Sequence, residues 1–192
     1  METYTSTAGL FLINIILGSA IFIILLRLIL QLMGADSRNP ISQSIKAITD
    51  PVLRPARGYL PNFQSLDSAS LVALVIMQMT LTWISVRALS TIEPNLASVF
   101  IFSFAEIIAK FVRILVWATI ISALLSWFSA GRYHPITDVI NAITSPLLYK
   151  AQKILPASTG IDFAPLIVII ALQLILILIV SPLKDFSNIL LM

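Results

Sequence analysis

Residues 39–78 and 134–173 align without a gap at a constant offset of 95, with fifteen identities in forty positions. One copy reads Asn39-Pro40-Ile41, Ile48-Thr49-Asp50-Pro51, Leu60-Pro61 and Asp67-Ser68-Ala69; the other reads His134-Pro135-Ile136, Ile143-Thr144-Ser145-Pro146, Leu155-Pro156 and Asp162-Phe163-Ala164. The matches fall on prolines, periodic isoleucines and one aspartate rather than on generic apolar residues. The chain is a tandem duplication, so its fold must be one that a single unit can build twice.

Composition places that unit in a membrane. Apolar residues make up 58% of the chain and charged ones 11%, against about 45–50% and about 25% in soluble domains. A crossing takes roughly 20 mainly apolar residues, and four stretches qualify: about 8–33, 68–86, 106–128 and 163–183. Each repeat then contains two spans and returns to its starting side, which makes the copies parallel, about a pseudo-two-fold axis along the membrane normal, rather than inverted. The expected fold is all-α and integral to the membrane: four transmembrane helices as two parallel tandem repeats, each a helix, a bent amphipathic cytoplasmic element and a helix. The first repeat is 1–90 with its element at 39–60, a linker or interfacial segment covers 91–105, and the second repeat is 106–192 with its element at 134–155.

The first apolar stretch follows Glu2 instead of a basic region, is long for a secretory signal and lacks a clear small-residue cleavage site, so it is expected to stay attached. No cysteine is present, which excludes disulfides and thiolate metal sites. Lys and Arg near span ends set orientation. Arg38, Lys46, Arg54, Arg57, Arg132, Lys150 and Lys153 lie within the repeats, against Arg87, Lys184 and the ambiguous Lys110 and Arg113 elsewhere. The predicted location is a bacterial inner membrane, with both repeat loops cytoplasmic and both termini periplasmic.

Ile41, Ile45, Ile48 and Val52 recur at helical spacing with polar residues between them, and Ile136, Ile140, Ile143 and Leu147 repeat the stripe. Asn39 and His134 stand at N-cap positions with Pro40 and Pro135 at the first helical position. Pro51 and Pro146 should interrupt each helix. The resulting element either lies in the headgroups, isoleucines down and Arg54, Arg57, Lys150 and Lys153 towards anionic lipid at about 1 kcal/mol each, or folds back onto the spans as packing.

The combination Asn-Pro-Ile, Thr-Asp-Pro-Val-Leu-Arg-Pro-Ala-Arg, Leu-Pro and an aspartate opening the next span, at 39–71 and with changes at 134–166, closely resembles the YggT family. These are small bacterial inner-membrane proteins with plastid relatives sometimes called YlmG. The resemblance covers nearly the whole chain. It implies links to osmotic or extracytoplasmic stress tolerance and to ion uptake, and in relatives to assembly or division. The second copy departs from the basic pattern, with Tyr149, Lys150 and Gln152 where Arg54, Pro55 and Arg57 stand in the first. If the motif holds phosphate or acidic lipid, its second site should be the weaker.

Several residues are candidates for a mechanism. Asp67 and Asp162 precede spans, where a carboxylate caps the first helical turn; that reading is favoured over ion coordination. Gln78 and Gln173 are equivalent and near span centres, where an unpaired amide is costly. They are expected to face each other across the repeats, as a clasp or as part of a polar path. Glu106 and Lys110 are spaced to pair along a helix, with Arg113 one turn on; they lie either in a span, where charges mark function, or at the outer interface. Arg27 is expected to snorkel to the headgroups.

The only histidine, His134, has no clustered partner, and no phosphate-cradling glycine loop is present, so the chain is not expected to be an enzyme or to hold a cofactor or metal. A net charge of +3 suits anionic headgroups rather than nucleic acid. Two functions remain: assisting or regulating K+ or Na+ movement, which for so thin a bundle calls for a homo-oligomer, and a scaffold recruiting division or assembly proteins through the amphipathic elements.

Overall fold

In the computed structural model, residues 2–58, 67–89, 93–128, 134–153 and 162–190 are described, with side chains from Thr7 onward. Pro61, Arg132 and Pro156 lie outside them. All regular structure among the described residues is helical: α1 (Glu2–Leu32), α2 (Pro40–Arg57), α3 (Ser68–Leu89), α4 (Leu96–Phe128), α5 (Pro135–Gln152) and α6 (Ala164–Ile189).

Three helices have stretches long and apolar enough to cross a membrane: Thr7–Leu32, Ser68–Ala88 and Ala164–Ile189. Large apolar side chains cover much of their outward surface, among them Phe11, Ile16 and Leu178. The helix expected from about residue 106 begins at Leu96 and runs for 33 residues, so much of the expected linker is helix. In α6 the chain passes through a π turn at Leu176–Val180. Pro182 follows at once and removes an amide donor, a recognised cause of such local rewinding.

Gly34 ends α1 in the left-handed region, at φ 69°. The amide of Ala35 bonds to Leu30 O at 2.9 Å and that of Gly34 to Gln31 O at 3.3 Å, a Schellman closure that satisfies two terminal carbonyls. The chain then turns into α2, where Asn39 Oδ1 accepts from Ile41 N at 2.9 Å ahead of Pro40, as its position predicts. The Asn39 amide also donates to Pro135 O at 2.9 Å, tying the two repeats together.

Pro51 and Pro146 do not break their helices; α2 and α5 are each continuous for 18 residues. An interior proline costs about 3 kcal/mol, and what lies beyond it in α2 offsets that: Leu53 is completely buried and Arg57 is held by two carboxylates. The isoleucine stripe also divides. Ser42, Ile45, Thr49 and Leu53 form the buried face, while Ile48 and Val52 point outward. One face of the element is thus packed against the spans, and the other is left open. On α5, Ile140 and Ile143 are buried and Ile136 is exposed.

The unit is built twice. In each repeat the two long helices pack along one another and the short helix lies against both, α2 on α1 and α3, and α5 on α4 and α6. The junction does not keep the expected two-fold relation. α4 packs on α3 and on the Ser181–Ile189 part of its own repeat's α6, whereas neither α1 nor α3 packs on α6 among the described residues.

Candidate functional site

Two polar clusters interrupt the apolar interior. The first gathers the ends of α1, α2 and α3. Thr49 on the inner face of α2 turns its hydroxyl back to Ile45 O at 2.7 Å, and the next residue, Asp50, meets Arg27 Nη1 at 2.8 Å and Arg57 Nη1 at 3.0 Å. Arg27 Nη1 also donates to Thr49 Oγ1. Asp67, which opens α3, accepts from Arg57 Nη2 at 2.8 Å and from Ser70 Oγ at 2.9 Å, and lies 3.6 Å from Arg27 Nε. The cap expected of Asp67 is present but weak, with Ser70 N at 3.4 Å.

Arg27 therefore does not snorkel. Its side chain is 10% exposed, because two carboxylates and a hydroxyl satisfy the guanidinium inside the fold at less cost than a charge left unpaired. The hydrogen bond from Arg27, together with the positive charges of Arg27 and Arg57, holds the Asp50 carboxyl below its usual range against the effect of burial. At Asp67 burial pushes upward most strongly, but the bonds from Arg57 and Ser70 together outweigh it and the carboxyl is lowered. The Asp67 bond in turn raises Arg57.

The second repeat keeps two of these contacts without the cations, one at the equivalent threonine and one at the carboxylate that opens its last helix. Ser122 stands where Arg27 does, Ser145 for Asp50 and Gln152 for Arg57. The Thr144 hydroxyl donates to Ile140 O at 2.9 Å, and its oxygen lies 3.4 Å from Ser122 Oγ. Gln152 Nε2 donates to Asp162 Oδ2 at 2.9 Å, and Asp162 Oδ1 accepts from Ala164 N at 2.9 Å. Lys150 and Lys153 are exposed, the latter 4.4 Å from the centre of the Tyr149 ring. Arg54 is exposed as well.

The second cluster lies where α4 meets α3 and the end of α6. Lys110 Nζ donates to Gln78 Oε1, Gln78 Nε2 donates to Thr82 Oγ1 at 3.4 Å, and Ser103 donates to Thr82 Oγ1 at 2.9 Å. Glu106 pairs with Lys184 across the helices instead of with Lys110 along its own, since the longer reach of an interhelical partner lets both lysines be answered. Ser187 donates to Ser98 O at 3.0 Å. Gln78, Thr82, Glu106, Lys110 and Ser187, with Asn14, Ser85 and Asn188 and the apolar Leu81, Val86, Val99 and Phe102, line a cavity of about 390 Å³.

Gln78 is 2% exposed, but Gln173 lies on the outer surface of α6. The expected clasp is not formed, because α3 and α6 do not pack on each other. The reason is in the partners. Gln78 and Thr82 meet Lys110 and Ser103, whereas the equivalent positions on α1 are Ile15 and Ala8, which offer Gln173 no hydrogen bond. Arg113 is exposed on α4, apart from the cluster. Among the described residues no three His, Cys, Asp or Glu side chains come together in a way that could hold a metal. Arg27, Ser70 and Thr82 were not singled out by sequence as members of these clusters; a lone arginine deep in an apolar run was the available signal for the first.

The CCB3/YggT family model matches residues 6–89 and 101–183, one segment per repeat. The chain is 34% identical over 184 residues to an uncharacterized protein of Pseudomonas aeruginosa, covering 95% of this chain and 93% of that one. It is 30% identical over 181 residues to the uncharacterized protein YggT of Escherichia coli K12, 94% of each. It is 31% identical over 164 residues to an uncharacterized protein encoded in the proC 3′ region of Vibrio alginolyticus, 85% of this chain and 88% of that one. No solved structure matches. With a family match in both halves and three apolar helices long enough to cross, this chain is a multi-pass membrane protein that belongs to the CCB3/YggT family.

Proposed function

We propose that this is a non-enzymatic protein of a bacterial inner membrane that assists or regulates the movement of K+ or Na+, and in that way supports tolerance of osmotic or extracytoplasmic stress. α4 serves as the fourth crossing, both termini are periplasmic and the short helices α2 and α5 are cytoplasmic. At 1.5 Å per residue the 33-residue α4 is about 50 Å long, ample for roughly 30 Å of hydrocarbon. Its Glu106 and Lys110 turn inward to partners.

The observation that carries this reading is the chamber of about 390 Å³ between α1, α3, α4 and α6, whose largely apolar wall carries an amide, hydroxyls and ionised side chains at a depth where they are otherwise costly. Lys110 rests its ammonium on the Gln78 carbonyl oxygen, a position that suits a monovalent cation equally well. Such a chamber fits gating or regulation within an oligomer better than a free pore through one chain.

The test is K+ and Na+ flux into liposomes containing the purified, correctly inserted protein. Flux above that of empty vesicles, raised by Lys110→Met and lowered by Gln78→Leu, is the expected result. Absence of flux in the wild type and in both variants overturns the reading. A scaffold role draws on a different feature, the outward Ile48 and Val52 beside exposed Arg54 on α2. It expects Ile48→Asp with Val52→Asp to abolish survival under osmotic challenge while Gln78→Leu and Lys110→Met leave it intact.

A further inference from the structure

A second cavity of about 390 Å³ opens between the end of α1, the first half of α2 and the start of α3. It is an order of magnitude larger than the roughly 30 Å³ that one water takes up in the liquid. Arg27, Lys46 and Arg57 line it against one lining carboxylate, Asp67, with Ser42 and Gln31 completing its polar wall. It shares no residue with the Gln78 chamber.

The acceptors here are already engaged. Asp50 and Asp67 receive hydrogen bonds from Arg27, Arg57 and Ser70. What remains unanswered is donor chemistry. The Ser42 hydroxyl is buried, at 4% exposure, and has no hydrogen-bond partner, an expensive state for a polar group that could be satisfied. Lys46 stands one turn along α2 on the same side and enters no ion pair among the described residues. The guanidinium of Arg27, fixed in orientation by Asp50 and Thr49, presents a planar fork of the kind that recognises oxyanions.

We propose that this cavity binds a phosphate group, carried by a phospholipid headgroup or present as inorganic phosphate, through Ser42, Lys46 and the outer edge of Arg27. The chain has one such site. At the equivalent places the second repeat has Thr137, Asn141 and Ser122, and Gln152 replaces Arg57, so no cation remains to answer an anion.

The experiment titrates the full-length chain, stripped of lipid in detergent, with phosphatidylglycerol, with diacylglycerol lacking the phosphate, and separately with inorganic phosphate, reading stoichiometry by native mass spectrometry and affinity by calorimetry. The expected result is one phosphatidylglycerol per chain, no comparable binding of diacylglycerol, and affinity about tenfold weaker in Lys46→Gln, as for one lost charge-assisted contact. Ser42→Leu, which fills the space, should reduce it as well. Inorganic phosphate binding with the same sensitivity, and with no preference for the lipid, assigns the site to the free ion. Equal binding of phosphatidylglycerol and diacylglycerol with no phosphate binding overturns the proposal. So does wild-type affinity in Lys46→Gln and Ser42→Leu proteins whose thermal midpoints are unchanged, or absence of binding by all three probes.

Discussion

In the first repeat Arg27 of α1 reaches Thr49 and Asp50 of α2, and Arg57 of α2 reaches Asp67 at the start of α3. In the second, Ser122 meets Thr144 and Gln152 meets Asp162, the same positions making the same connections without a cation. The helices they join run between closely equivalent residues in both copies. The difference teaches that the ionised set is not what shapes this end of the unit. Neutral donors suffice, with Gln152 in the place of Arg57 before the retained carboxylate Asp162, as expected where a buried ion pair gains little over uncharged partners once desolvation is counted. The charges of the first repeat are then an added property of that copy, and the cavity beside them is where that property is available for use.

The largest effect should come from breaking the charged copy by one member. Arg27→Ala leaves Asp67, a carboxylate 8% exposed, with one arginine instead of two, and Asp50 and Thr49 without their shared donor. We expect a loss of about 3–5 kcal/mol in thermal or denaturant unfolding in detergent. Ser122→Ala, the same cut in the neutral copy, should cost no more than about 1 kcal/mol, the value of a modest hydrogen bond. Comparable losses at the two positions would erase the distinction.

Converting the first copy into the second sharpens the comparison. A variant with Arg27→Ser, Asp50→Ser and Arg57→Gln keeps an amide opposite Asp67 and should be more stable than Arg27→Ala by about 2 kcal/mol, despite carrying more changes. It should also change the response to acid. Asp50 and Asp67 have lowered values in the folded protein, so the unfolded chain binds more protons than the folded one near the ordinary carboxylate value of about 3.9. Their contribution is present above that value and is lost as pH falls from about 5 through the lowered folded values. Measured from pH 7 to pH 3, the wild type should lose stability faster than the converted variant; parallel curves would show that these carboxylates do not carry the acid response.

How much of this was legible in the sequence depended on whether a pattern was local. The duplication, the Asn39 and His134 caps and the helical short elements follow from residues close together in the chain, and they are found where expected. Pro51 does not interrupt α2 as its local geometry predicts, because buried Leu53 and the paired Arg57 anchor the helix beyond it; in α5 buried Ala151 and the Gln152–Asp162 bond lie beyond Pro146. The fate of Gln173 could not be read from its equivalence to Gln78, because equivalence fixes a position in the repeat and not the neighbour across it. That neighbour is Lys110 for one glutamine and none for the other. Arg27 illustrates the same limit: its place in an apolar run flagged it, but only the fold brings Asp50 and Asp67 to it.

The two glutamines offer the next contrast. Gln78→Leu leaves the Lys110 ammonium without the amide oxygen it bonds and should destabilise by about 1–3 kcal/mol. Gln173→Leu, on the outer surface of α6, should lie within about 0.5 kcal/mol of wild type. A double-mutant cycle should return no coupling between them, as for sites that share no partner. A coupling of about 1 kcal/mol would place the two side chains in contact in the membrane and restore the symmetric junction that this fold lacks.

The smallest contrast lies at the two caps. Asn39 does two things at once: its oxygen caps α2 at Ile41 N and its nitrogen donates to Pro135 O at the start of α5, while the side chain is 6% exposed. Among the described residues the His134 side chain makes only the cap, a longer bond of 3.3 Å from Ile136 N to Nδ1, and is exposed. Asn39→Ala should therefore cost about 1–2 kcal/mol, the upper part of the usual range for a cap, and His134→Ala only a few tenths. Asn39→Asp separates the two roles, since a carboxylate still accepts from Ile41 N but cannot donate to Pro135 O. If Asn39→Asp matches the wild type in unfolding, the short helices are held by their own repeats alone; if it falls as far as Asn39→Ala, the bond between α2 and α5 is what the asparagine contributes.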